Sequence, residues 1–180
     1  MQLIGEPLRS PADAGPAALL LSCHERIRSF TALAVRLASA EPATELTVSE
    51  TAGRVHRYHA IALPLHQADE EQSIAPRLER AAAPALLEAL ARMKREHVAL
   101  DEVISGLLPL WQSLAAEPGR RGELAFVLAR EVARAQDLWA VHLAAEEEIV
   151  FPALRSLQAS ELSCITGEIR ARRLPAPAAR

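Results

Sequence analysis

The chain has 180 residues, 50% hydrophobic and 24% charged, which suits one soluble domain with a full core and leaves little room for two. A net charge of -3 and a pI of about 6.1 argue against the basic face of a nucleic-acid binder. Aromatic residues are only 3%, while Ala, Leu, Glu and Arg recur and β-branched residues are sparse, so the composition points to an all-α fold.

In chain order, residues 1–15 read as an N-terminal extension, 16–158 as a four-helix bundle, and 159–180 as a short helix with a basic tail. The opening residues lack the basic-then-apolar pattern of a secretion signal. No apolar run approaches the roughly 20 residues of a membrane span. The expectation is therefore a cytoplasmic chain with no membrane partner. Cys23 and Cys164 are too few for a disulfide framework.

The first helix opens at Gly15-Pro16, where proline suits a first turn, and runs to about Ala40 before Glu41-Pro42 stops it. The second begins near Thr47 to Thr51 and continues to about Arg80. Pro84 opens the third, which ends near Ala116 before Glu117-Pro118-Gly119. The fourth runs from Gly122 or Glu123 to about Leu157, and Ser160-Glu161 through Arg173 is a candidate fifth. Pro64 and Pro109 are expected to kink or interrupt their helices. Pro76 and Pro152 fall near helix ends, where a bend costs less. Arg170, Arg172, Arg173 and Arg180 read as a solvated tail, frayed by Pro175 and Pro177.

Two seams are clear. On the third helix, Leu86, Leu90, Met93, His97, Leu100, Ile104, Leu107 and Trp111 follow alternating steps of four and three. On the fourth, Leu128, Val132, Ala135, Trp139, His142, Glu146, Ile149 and Ala153 do the same. Ionisable residues interrupt both seams, and each costs several kcal/mol in a core unless something pairs with it.

The interruptions form a pattern. The second helix reads HQADEEQSIAP from His66, and the fourth reads HLAAEEEIVFP from His142. In each, Glu follows four residues after His (Glu70, Glu146), another Glu follows at five (Glu71, Glu147), and Pro at ten. Four residues on a helix is little more than a turn and about 6 Å of rise, so imidazole and carboxylate share a face. The first helix adds His24, on a face with Leu20, Ile27, Thr31 and Ala34, and the third adds His97. The chain thus reads as two helical hairpins that bring four histidines and two carboxylates to one core. Such a set suits Fe, Zn, Cu or Ni, with open positions left for water or a small diatomic molecule.

At these residues the chain resembles the hemerythrin-like (HHE) family, whose recurring pattern is an isolated His, then H-x-x-x-E-E, then E-H, then H-x-x-x-E-E with F-P. Here those elements are His24; His66 with Glu70; Glu96-His97; and His142 with Glu146, followed by Phe151-Pro152. The match covers about 16 to 157. The resemblance implies an antiparallel up-down-up-down bundle holding a di-iron centre. It further implies that His24, His66, Glu70, His97, His142 and Glu146 are the metal ligands, with zinc or another divalent metal as a substitute on isolation. There are departures. Oxygen-carrying hemerythrins place a second His four residues after the third-helix His, where this chain has Asp101. Asp101 reads as a solvated residue just off the seam, with a seventh carboxylate ligand as the alternative. That change puts reversible oxygen carriage in doubt. Ile74-Ala75-Pro76 also replaces bulkier apolar residues.

Other residues rank lower. His59, seven before His66, reads as a core or helix-end His, with an access path, proton relay or extra metal as alternatives. Cys23 points away from His24 and reads as an inert buried thiol. Glu71 and Glu147 read equally as solvated or as acceptors for a histidine N–H. Tyr58 falls on another face, and Trp111 and Trp139 read as core.

The leading expectation is a non-enzymatic iron protein that binds, senses or scavenges oxygen, nitric oxide or peroxide, or stores iron. The partners expected are such small ligands, with a homodimer as the macromolecular candidate. A di-iron oxidase or peroxidase is the alternative, although Glu-x-x-His of ferritin-like oxidases is absent. A metal-free bundle is a third reading, and the zinc hydrolase motif HExxH is missing.

Overall fold

The computed structural model of the chain describes residues 15–39, 41, 43–80 and 82–174. Among these residues there are five helices and no strand. They are α1 (Pro16–Ala38), α2 (45–78), α3 (Pro84–Ala116), α4 (121–153) and α5 (Ala159–Ala171). The extension 1–14 and Arg180, Pro175 and Pro177 of the tail lie outside the described residues.

Local chemistry sets the helix ends. The second helix begins earlier than its apolar pattern suggests, because the Thr44 hydroxyl accepts from the Thr47 N–H at 3.2 Å and caps a helix starting at Glu45. A short 3₁₀ turn, Pro118–Arg120, leads into α4 at Arg121. Gln158 and Glu161 form a capping box that starts α5.

Contacts between helix ends fix the directions. Arg121, opening α4, donates to the carbonyls of Leu37 and Ser39 at the end of α1. Ser49, early in α2, donates to the Ala115 carbonyl late in α3. Lys94, early in α3, meets Glu79 just beyond α2 at 2.8 Å. Neighbours therefore run antiparallel, as in an up-down-up-down bundle.

The core is split into two apolar clusters. One contains Ile27, Val55, Leu100, Trp111, Leu128 and Trp139. The other contains Leu20, Leu78, Leu90, Met93, Phe151 and Ile165, so α5 packs only at that end. Between them, along every one of the four bundle helices, lies a polar layer made of His24, His66, Glu70, His97, His142 and Glu146, all buried.

Three widened π turns interrupt the helices, at Tyr58–Ala62, Asp69–Ile74 and Glu146–Val150. Each ends in a bond to a carbonyl five residues back: Leu63 to Tyr58, Ala75 to Glu70, and Phe151 to Glu146. In all three cases the next residue is proline (Pro64, Pro76, Pro152), which has no N–H to donate and whose ring would clash in a normal turn. The π turn absorbs the proline, so Pro64 does not end α2. Pro109 does not interrupt its helix, since α3 continues through it. It lies on the exposed face, where carbonyls can tilt toward water.

The π turn in α4 also corrects the expected seam. Its extra residue rotates the helix beyond it, so Val150 and Leu154 turn inward in place of Ile149 and Ala153, and Ile149 is 42% exposed. The reading of the arginines as a solvated tail is corrected for two of them. Arg172 and Arg173 pair with the two oxygens of fully buried Asp69 at 2.8 and 2.6 Å. A buried carboxylate needs such partners, and the end of α5 supplies them. No helix among the described residues is long and apolar enough to cross a membrane.

Candidate metal centre

The polar layer resolves into two overlapping groups whose ligand atoms lie within 4.8 Å of one another: His24, His66, Glu70 and Glu146, and Glu70, His97, His142 and Glu146. All six residues read from the sequence are thus brought together, and both glutamates belong to both groups. Glu70 turns Oε1 toward His66 Nε2 (3.3 Å) and Oε2 toward His97 Nε2 (3.3 Å). Glu146 turns Oε2 toward His24 Nε2 (3.2 Å) and Oε1 toward His142 Nε2 (3.3 Å). Each carboxylate therefore straddles two positions, each flanked by two imidazoles. Two of the three π turns begin at or beside these glutamates, so the irregular backbone and the chemistry coincide there.

The donor set fits a pair of cations. The Nε2 atoms of all four histidines and both oxygens of both glutamates are buried without a hydrogen-bond partner among the described residues. Orphaned atoms of this kind cost about 1–3 kcal/mol each, more for charged groups, unless something satisfies them. Protons do so unevenly. Burial pulls His24 toward the neutral form, yet Glu146 and Glu70 outweigh it and raise its pKa to about 9. His97 is likewise raised to about 9 by Glu70 and Glu71 against its burial. Burial dominates at His66, lowered to about 4, and also lowers His142. Burial and the charge of Glu70 push Glu146 up to about 8, whereas His66, His24 and His97 overcome burial and hold Glu70 below the usual carboxylate range. Two cations would leave every imidazole neutral and both carboxylates ionised, the forms in which they ligate metals.

The outer nitrogens of three histidines are held by carboxylates. His24 Nδ1–H donates to Glu147 (2.7 Å), His97 Nδ1–H to Glu71 (2.7 Å), and His142 Nδ1–H to Glu96 (3.1 Å). Glu71 and Glu147 thus take the acceptor role, not the solvated one. Sequence reasoning missed Glu96 as a partner, having used it only as part of the E-H pair. The available signal was Arg92 one turn earlier, whose Nε donates to Glu96 at 2.6 Å. It also missed Asp69, three residues after His66 and so close to the inward face.

The lower-ranked residues fall outside both groups. Asp101 is exposed and accepts from Gln67 Nε2 at 2.9 Å, so it is not a seventh ligand in this arrangement. His59 is a core residue, its Nδ1–H donating to the Val55 carbonyl and its ring 4.8 Å from Trp111. Tyr58 stacks on Phe30 at 4.0 Å. Cys23 is only half-buried, with Arg173 3.7 Å from its Sγ and burial raising its pKa.

No curated protein matches this chain. The hemerythrin HHE cation binding domain family, in contrast, matches residues 15–154, the span that carries α1 to α4 and every side chain of the buried layer. The chain belongs to the hemerythrin HHE cation-binding family.

Proposed function

We propose that the protein holds two iron ions through His24, His66, Glu70, His97, His142 and Glu146, and binds, senses or scavenges oxygen, nitric oxide or peroxide, or stores iron. The observation that carries this reading is the placement of Glu70 and Glu146, each with one oxygen in either group of histidines. Imidazole together with carboxylate would suit iron well, and zinc shares the same preferences. A di-iron centre supplies open coordination positions and electrons for small oxidants, and six protein ligands leave such positions free.

The chain's own residues do the rest. Glu71, Glu96 and Glu147 orient the imidazoles and bring negative charge near the ions. The two apolar clusters keep bulk water from the layer. A cleft of about 150 Å³ between α3 and α4, lined by Ala89, Met93, Ile149 and Val150, reaches Glu146. That is well below the roughly 300–1,000 Å³ of pockets for organic ligands, so its size supports a diatomic molecule or peroxide. With Asp101 pointing to solvent, nothing among the described residues replaces the additional histidine of oxygen carriers, which supports scavenging, sensing or iron storage over carriage.

A di-iron oxidase or peroxidase is the second reading. It is favoured by a larger cleft of about 400 Å³, lined by Pro16, Leu21, Phe151 and Leu162. Its Phe151 ring lies 4.8 Å from the His24 ring.

The test is metal content with the visible spectrum after anaerobic Fe(II) loading and exposure to air. About two irons per chain with oxo-bridge-like near-ultraviolet absorption is expected. An unchanged fold without bound metal would make the layer a polar core and end the reading. Consumption of an added organic reductant with peroxide would favour the enzyme.

A further inference from the structure

The two groups of ligands are not supported alike. On the side of His97 and His142, both outer nitrogens are held, by Glu71 at 2.7 Å and Glu96 at 3.1 Å. Glu96 is itself anchored by Arg92. Both rings are therefore fixed with Nδ1 protonated and the lone pair of Nε2 facing the layer. On the side of His24 and His66, only His24 is held, by Glu147 at 2.7 Å, and Glu147 accepts from Arg28 on the same oxygen at 2.8 Å. His66 Nδ1 is buried with no hydrogen-bond partner among the described residues. To offer Nε2 to an ion, neutral His66 must keep its proton on that unsatisfied nitrogen.

The near-repeat of the two hairpins explains the gap. Glu96 precedes His97 on α3 and serves the histidine of the neighbouring helix, His142. The corresponding residue before His24 on α1 is Cys23, which faces Arg173 just beyond α5. No carboxylate among the described residues stands where His66 would need one.

We propose that the two metal positions are unequal: the position of His97 and His142 binds its ion more tightly and fills first, and the position of His24 and His66 is the weaker, exchangeable one. This rests on the ligand assignment of the proposed function. Carboxylate partners of ligating histidines are each worth about 10–100-fold in metal affinity, and one side has a partner more than the other.

The experiment is an anaerobic titration of the metal-free full chain with Co(II), followed by its visible absorption against a competing chelator. Two binding phases separated by about 10–100-fold are expected. Glu71→Ala should weaken the tight phase by a similar factor and close the gap, while Glu147→Ala should weaken the loose phase and widen it. Both glutamates are partly exposed, at 41% and 29%, so neither change empties the core, and circular dichroism checks the fold. Glu71→Gln, which keeps an acceptor without the charge, should fall between wild type and Glu71→Ala. Two equal ions, or a Glu71→Ala effect confined to the loose phase, would overturn the inequality and leave the metal reading standing. No Co(II) bound at all would overturn both.

Discussion

In the first hairpin, α1 and α2, the residue three positions after the proposed ligand His66 is Asp69; in the second, α3 and α4, the residue three after His142 is Ala145. Both helices then enter a π turn, and both turns are followed at the second residue by proline. Around that shared frame the surroundings differ. Asp69 is fully buried and held by Arg172 and Arg173, with Ser73 also receiving Arg172. Ala145 asks for no partner. Conversely, His142 has Glu96, and His66 has no counterpart to it among the described residues. The first hairpin also contains a π turn, Tyr58–Ala62 with buried His59, that the second lacks. A repeated motif can thus set ligand geometry in both hairpins while their support comes from different places, one of them at the end of a fifth helix outside the repeat.

The largest effect should ignore this difference. Replacing Glu70 or His142 by Ala removes a proposed ligand from the first or the second hairpin, and metal analysis should then find at most one ion per chain. Two ions retained in either variant would end the assignment. The next effect should belong to the first hairpin alone. Arg172→Ala with Arg173→Ala strands the Asp69 charge in the core, which should lower stability by about 3–5 kcal/mol in denaturant unfolding. Asp69→Ala should cost less, because the two arginines, each partly exposed, can return to water. Equal losses would show that the clamp acts by packing.

His59 gives a third contrast. Burial lowers its pKa to about 4 from the usual 6.5. Between those values the unfolded chain takes up a proton that the folded chain refuses, so stability falls as pH drops from 6.5 toward 4 and is unaffected by this group above that range. The loss amounts to roughly 3 kcal/mol at most. Unfolding measured across that window should be less pH-dependent in His59→Leu, and an identical slope would exclude His59 as its source. The smallest effect is expected at Asp101→Ala: metal content unchanged and stability within about 0.5 kcal/mol, as for most exposed positions.

Much of the centre is legible in the sequence because it is local. His-x-x-x-Glu on a helix puts both side chains on one face whatever the rest of the chain does, and prolines and glycines mark where such helices stop. The seam beyond Glu146 departs from its expected course for an equally local reason: strict four-three stepping assumes a regular helix, and the π turn adds a residue. Pro152 is the clue, since proline demands a change in the turn before it. The start of α2 precedes its expected place because the apolar pattern begins after the Thr44 cap.

The sequence by itself determined the helices, the order of the buried histidines and glutamates along them, and the family to which they belong, because periodicity and spacing act within a few residues. Only the tertiary structure decided which outer nitrogen finds a carboxylate and which arginines find Asp69. His24 meets Glu147 across 123 positions, and Arg172 meets Asp69 across 103. No local rule links such residues. They are joined because a buried charge or N–H must be satisfied by whatever the packing of helices brings within reach.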